Sequence, residues 1–191
     1  MGDQLISYLW RYKTLFMKYL LSLLLSLLNI CVFSQGRGSY YVTNSDDTVT
    51  ADIRIYTNIR GKTDLSMLSK SIIVEGVSET KKLKPADIKA FVITDFDSVY
   101  KFVSLPGEKS RFFHEVVSGK LSFYKLYTPG NTLPVMVKDG KLVYLNVINP
   151  KKRITELIAD CPALLKEWDE GEKYTIRDRE EIAQAYNACW E

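Results

Sequence analysis

The sequence predicts a mainly β fold. The expected form is an antiparallel meander (a curved sheet, a barrel-like sheet or a small sandwich) with two short C-terminal α-helices. Three observations predict it. Short apolar runs of alternating pattern recur between residues 40 and 147, each bounded by turn residues. Strand-favouring aromatics are abundant, with 12 Tyr, 8 Phe and 3 Trp. From Asn149 the apolar period changes from two to steps of three and four, the mark of a helix face. At 191 residues and 46% hydrophobic, the chain can fill the core of one ordinary domain.

Residues 1–34 read as a signal-peptide region. It precedes an antiparallel β domain at 35–148 and a helical tail at 149–191 packed on it. Residues 19–33 are Leu-rich and uncharged. They fall short of the roughly 20 apolar residues of a membrane-spanning helix. Lys18 stands directly before them, and Val32 and Ser34 fill the −3 and −1 positions of a cleavage before Gln35. Met17 opens a more ordinary signal than Met1 does, so the expected start is Met17. The competing reading is an uncleaved anchor from about Leu15 to Phe33, interrupted by Lys18. Ile30 before Cys31 is not the small residue that a lipoprotein signal needs.

In the β domain, residues 40–43 read as a strand and Asn44, Ser45, Asp46 and Asp47 as a turn. Residues 48–56 alternate cleanly, with Val49, Ala51, Ile53 and Ile55 on one side and Thr48, Thr50, Asp52 and Arg54 on the other. That pattern predicts a half-buried strand, hairpinned to the first. Residues 57–70 read as a loop and 71–74 as a strand. Residues 79–88 are a polar run with no element assigned but a single turn at Pro85 to Ile88, Pro85 biasing Lys84 away from helix. Strands follow at 90–94 and 99–105, then a loop at Pro106-Gly107. The strands at 112–117 and 120–127 are joined at Ser118-Gly119. A wider turn is expected at 129–131. The strands at 133–137 and 141–147 are joined at Asp139-Gly140, a favoured hairpin pair. Eight or nine strands connected as neighbours are expected.

In the tail, Ile154, Leu157, Ile158, Cys161, Leu164, Leu165 and Trp168 share one helix face, broken or restarted at Pro162. Asp178 followed by Glu181 predicts a capping box. Ile182, Tyr186, Cys189 and Trp190 share a face of the last helix.

Charge and motif content bound the function. Of 26 basic and 23 acidic residues, Arg11, Lys13, Lys18 and Asp3 precede residue 35, leaving 23 against 22. A balance this even excludes a nucleic-acid surface built on clustered positive charge. The one histidine, His114, has no nucleophile motif beside it and is expected to face solvent from a strand. Neighbouring Glu115 would face the other way. Gly36-Arg37-Gly38 follows no strand and opens no helix, so it is not a dinucleotide loop. Residues 44–47 lack the full calcium-loop spacing. Asp95 and Asp97 are the acid pair a carboxylate hydrolase would use, and also suit a solvated turn. Lys81, Lys82 and Lys84 suit a solvated face. Phe112, Phe113, Phe123, Tyr124 and Tyr127 suit core and cross-strand packing. No catalytic residue, metal site or cofactor is assigned.

Four stretches together resemble a known group: the leader ending in FSQ, HEVVSGKLSFYKLY, the hairpin around VKDGKLVYL, and the tail IADCPALLKEW followed by REEIAQAYNAC. They are similar to small uncharacterised exported proteins of Bacteroidetes bacteria, over most of residues 35–191. The resemblance implies a β-rich envelope domain with a short helical tail. Cys161, Pro162, Tyr186, Asn187 and Cys189 match the recurring tail without a role attached to them.

The expected function is that of a non-enzymatic cell-envelope or secreted protein, structural or protein-binding. Its partner would be an envelope protein or surface component, in the periplasm or outside the cell. The alternatives are a carrier of a small apolar ligand and a carboxylate-based hydrolase. Cys161 and Cys189 are the cysteines left after cleavage, and export would place them where disulfides persist. An intrachain disulfide is therefore expected, with two buried free thiols as the alternative.

Overall fold

A computed structural model describes residues 38–58, 61–76, 79–95, 98–145, 148–171 and 173–191. The expected leader, Gly36, Arg37, Asp97 and the end of the last expected strand at 146–147 lie outside the described residues.

The first hairpin is β1 (Tyr40–Thr43) with β2 (Thr48–Thr50). The alternating run that begins there is divided, contrary to the single strand expected over 48–56. At Ala51 the chain leaves one sheet, and β3 (Asp52–Ile53) joins another. Alternation continues through the crossing: Val49 is half-buried, Ala51 packs against the cluster that contains Ile53, and Thr50 and Asp52 are exposed. Next come α1 (Leu65–Leu68), β4 (Ile72–Glu75) and β5 (Thr80–Leu83). Helix α1 is a single turn inside the expected loop, capped by Asp64, whose carboxylate accepts from the Ser66 and Met67 amides. Strand β5 lies in the polar run that was not read as a strand. It is an edge, so Lys81 and Lys82 can stay exposed while its backbone pairs with β4.

Six sequential strands follow: β6 (Ile88–Asp95), β7 (Ser98–Leu105), β8 (Glu108–Val117), β9 (Leu121–Thr128), β10 (Asn131–Lys138) and β11 (Lys141–Tyr144). Each pairs antiparallel with the next. Two turns are tighter than expected. Pro106-Gly107 and Pro129-Gly130 each span two residues, with Gly107 at φ 83° and Gly130 at φ 76°. Proline followed by a left-handed glycine satisfies the type II turn, so the strands run to the turn on both sides. At Asp139-Gly140 both residues have positive φ, as the favoured hairpin requires.

The described strands form two antiparallel sheets. The larger has eight strands in the order β11-β10-β9-β8-β7-β6-β1-β2, and the smaller has the order β3-β4-β5. The expected meander thus holds from β6 to β11. The hairpin β1-β2 joins it beside β6, and the small sheet is inserted between. The larger sheet is open between β2 and β11 and does not close into a barrel.

Three apolar clusters hold these layers. Ile53, Leu68 and Ile72 pack with Phe91, Ile93, Phe102 and Phe112 of the large sheet. Phe91 stacks on Phe102 at 4.9 Å and meets Phe112 edge-on at 4.9 Å. A second cluster joins Leu121, Phe123, Met136 and Val143 to Ile154, Ile158, Leu164, Trp168, Ile182 and Tyr186 of the tail. The third is Leu105, Phe113, Tyr124, Leu126 and Val135. Adjacent Phe112 and Phe113 serve different clusters, and both are fully buried. Each such side chain contributes about 1.5–3 kcal/mol relative to exposure.

The tail has three helices rather than two: α2 (Pro150–Ile158), α3 (Pro162–Glu170) and α4 (Arg179–Ala188). Pro162 restarts the chain as the first residue of α3, where its missing N–H costs no helical bond. Of the expected face, Ile154, Leu157, Ile158, Cys161, Leu164 and Trp168 are buried, while Leu165 is half-buried. Ile182 and Tyr186 are buried, but Cys189 and Trp190 are exposed. The capping box does not form. The Asp178 carboxylate instead accepts from the Thr175 amide and hydroxyl, closing the turn before α4. No helix among the described residues is long and apolar enough to cross a membrane.

Polar contacts fasten the tail to the sheet. Lys138 of β10 donates to Asp160 at 2.7 Å and to the Leu157 carbonyl at 2.7 Å. The Tyr186 hydroxyl donates to the same carboxylate at 2.8 Å. Partial burial pushes the Asp160 carboxyl up, but bonds from Lys138 and Tyr186 outweigh it and hold the group below its ordinary value. Cys161 and Cys189 form a disulfide with their Cα atoms 6.3 Å apart, tying the start of α3 to the end of α4.

Candidate functional site

A cleft of about 570 Å³ opens between the β9–β10 turn and the segment leading into α1. Two local structures position its walls. The tight Pro129-Gly130 turn brings Tyr127, Asn131 and Thr132 to one end of the large sheet. Opposite them, Thr63, Asp64 and Ser66 are held by the cap of α1. There Asp64 Oδ1 accepts from the Ser66 amide at 3.0 Å, the Ser66 hydroxyl at 2.7 Å and the Met67 amide at 3.3 Å. The bond from the Ser66 hydroxyl lowers the Asp64 pKa, and the amide bonds add to it against a small burial cost. The carboxylate is therefore ionised at neutral pH. Asn131 Oδ1 accepts from the Thr132 amide at 2.8 Å.

Behind Tyr127 stands His114. Their Oη and Nδ1 share a hydrogen bond of 3.0 Å. The imidazole also packs 5.4 Å from the rings of both Tyr100 and Phe102. His114 is thus half-buried in an aromatic box, and the solvent-facing expectation is corrected. The β8 alternation was read properly, since Glu115 faces the other side and pairs with Lys101 at 2.6 Å. What the pattern could not show is that the His114 side is covered. Burial, and then the Lys125 charge, push the imidazole down to about 4. Burial, followed by the neighbouring Tyr100, pushes the Tyr127 phenol up to about 12. Both side chains are neutral at physiological pH, so the pair anchors a ring and carries no charge.

The other sequence candidates are scattered. The Asp95 carboxylate accepts from the Thr63 hydroxyl, which links the end of β6 to the cleft wall. Residues 44–47 make a turn in which Asp46 has φ 70° and pairs with Lys89, while the Asn44 amide donates to the Ala86 carbonyl. Phe112, Phe113, Phe123 and Tyr124 are buried. Among the described residues, no group of three His, Cys, Asp or Glu side chains could hold a metal.

Sequence reasoning missed Asp64, Asn131 and Thr132 as a set, because they lie on loop ends some 67 residues apart and meet through the fold. One signal was present: Asp64 two residues before Ser66 is an N-cap pattern. No family model, curated protein or solved structure matches the chain.

Proposed function

We propose that the chain is an exported domain of the cell envelope, or a secreted one, that acts by binding rather than by catalysis. The observation that carries this reading is the Cys161–Cys189 disulfide, since such bonds persist in oxidising compartments. The signal-like succession of Lys18, an uncharged Leu-rich stretch and Val32-Phe33-Ser34 supports the same destination. So does the resemblance to exported Bacteroidetes proteins. For the binding half, support comes from the cleft: its walls are the Asp64 cap and the Pro129-Gly130 turn, and the neighbouring His114 is neutral and committed to Tyr127.

Expression of the full chain with a C-terminal tag in a Bacteroidetes host tests the reading. Fractionation, intact mass and alkylation of free thiols would be measured together. The expected product begins at Gln35, leaves the cytosol and contains no free thiol. Cytosolic retention with residues 17–33 still attached and Cys161 and Cys189 alkylated would overturn it.

A further inference from the structure

Apolar side chains exposed singly are ordinary. Among the described residues, Met67 in α1, Val99 in β7 and Trp190 after α4 are of that kind, and Trp190 is covered on one face by Lys120, 3.1 Å from the ring centre. Two exposed isoleucines stand instead at one place, the start of α2. Ile148 is 86% exposed and directly precedes the Asn149 that opens the helix. Ile176 is 37% exposed and lines a surface groove of about 750 Å³ with Pro150, Lys151, Lys152, Thr155 and Glu156. Helix periodicity explains the groove. Ile154, Leu157 and Ile158 are buried, so Lys151 and Thr155, one turn apart, flank that buried side, and Lys152 and Glu156 lie beyond them. Helix α3 fixes the flank: Trp168 Nε1 donates to Thr155 Oγ1 at 2.9 Å, and Lys151 Nζ lies 5.8 Å from the Trp168 ring.

The charge around these isoleucines is positive. Residues 148–156 and 176–178 carry Lys151, Lys152, Arg153 and Arg177 against Glu156 and Asp178. Lys152 and Glu156 form a loose, exposed pair at 4.0 Å. Asp178 accepts from Thr175 and sits beside Arg177. Lys151 and Arg153 make no ion pair among the described residues. Arg153 lines a different groove on the other flank of α2, so it adds only to the long-range field. Glu172 lies outside the described residues, and one more carboxylate would still leave the bases in excess.

We infer that the start of α2 docks this protein on an anionic phospholipid surface. Ile148 and Ile176 enter the boundary between headgroups and acyl chains. Lys151, Lys152 and Arg177 lie at the level of the phosphates, with their aliphatic stems against apolar surface. An enclosed small-molecule site has the wrong form, since the groove is open and most of Ile148 stands in water. A deformable, negatively charged surface takes up protruding isoleucines and neighbouring bases without a shaped counterpart. Two isoleucines are too few to hold a membrane alone, and so are three bases. Binding is therefore reversible and requires both parts. The inference adds a docking surface to the exported-domain reading and makes no use of the cleft at Asp64.

The test is flotation of the disulfide-bonded exported protein with vesicles of phosphatidylcholine, alone or with about one third phosphatidylglycerol. The protein is expected to float with the anionic vesicles at low ionic strength and to be released in about 0.5 M salt, where the charges are screened. Little flotation is expected with phosphatidylcholine alone. Ile148→Ser and Ile176→Ser should each weaken binding about tenfold. Lys151→Gln and Lys152→Gln should each weaken it about fivefold. Joint replacement of Lys81 and Lys82 by Gln on edge strand β5 should leave it unchanged. All six positions are exposed, and an unaltered circular dichroism spectrum reports that each variant is folded. The inference is overturned by absent flotation with anionic vesicles, by equal flotation with phosphatidylcholine, by unaltered affinity in the isoleucine and α2 lysine variants, or by an equal loss in the β5 variant. Tight binding of poly-glutamate that ignores the isoleucine changes would assign the patch to an acidic protein. Self-association abolished by those changes would assign it to a second copy. Either result also overturns the lipid reading. A properly exported protein that ignores vesicles removes only this inference. Cytosolic retention with free thiols removes the broader reading instead.

Discussion

Asn187 reaches from α4 into the turn between β8 and β9. Its Oδ1 accepts from the Leu121 amide at 2.9 Å, and its Nδ2 donates to the carbonyls of Leu121 at 3.1 Å and Ser118 at 3.3 Å. A side chain thus completes the backbone bonding of a turn 66 residues earlier in the chain. Gly119 makes room for it: a Cβ there would lie 2.3 Å from the Asn187 amide nitrogen. Gly119→Ala is expected to destabilise the fold by about 1–3 kcal/mol, the range for a forced overlap. Asn187→Ala should cost a similar amount by stranding turn groups. The double variant should fall well short of the sum, because each change removes part of what makes the other harmful. Urea denaturation of the four proteins measures this, and simple additivity would refute the coupling. Ser118-Gly119 was legible as a hairpin from its spacing alone. The reason for that glycine was not legible, since it lies in a residue of the final helix.

Among the elements, period-two patterning located the strands well and their partners poorly. Val49, Ala51 and Ile53 alternate without a break, yet β2 and β3 belong to different sheets. Alternation reports which side is buried; it carries no record of the neighbouring strand. Strand β5 was hidden for the opposite reason, because an edge strand can be polar on its exposed positions. The cleft was the least legible part, as its groups come from two loops and no periodicity links them. The three tail helices are short, and isolated helices of this length are marginal in water. Their stability comes from docking, from Asp160 and from the disulfide. That bond closes a loop of 28 residues, for which chain entropy predicts about 3.5 kcal/mol. Replacing both cysteines by serine should lower stability by up to that amount. Hydrogen exchange should speed up in α2–α4 well before it does in β6–β10. A uniform loss of protection across sheet and tail would show that the tail is not a separable unit.

At the scale of the whole molecule, the buried histidine sets an acid response. In the unfolded chain His114 takes up a proton near pH 6.5, whereas in the folded state burial and Lys125 delay protonation to about 4. Between those values the unfolded state binds more protons, so stability falls with falling pH. It is fully present above the unfolded pKa and levels off below the folded one. Asp64, Asp160 and Asp178 are all lowered from 3.8, so their contributions begin to be lost below about pH 5 and add to the histidine effect at the lower end of its window. The urea midpoint of the parent protein should therefore decline between about pH 6.5 and 4. In His114→Gln it should stay nearly level from about pH 6.5 to about 5, above the carboxylate range, even if its absolute value is lower. Parallel pH curves for the two proteins would refute the assignment.

The position of Cys189 also orders events during synthesis. It follows every strand and helix described, and its partner Cys161 lies after the last strand. As the chain emerges from its amino end, no cysteine lies between residues 38 and 160, so the sheets can take shape with no disulfide within them, and Cys161 appears before its partner. Only the end of α4 supplies the partner sulfur. During that interval the Cys161 thiol is open to mispairing with another nascent chain. The sequential hairpins from β6 to β11 need no distant partner, so they can form in that interval and leave a docking face ready for the tail.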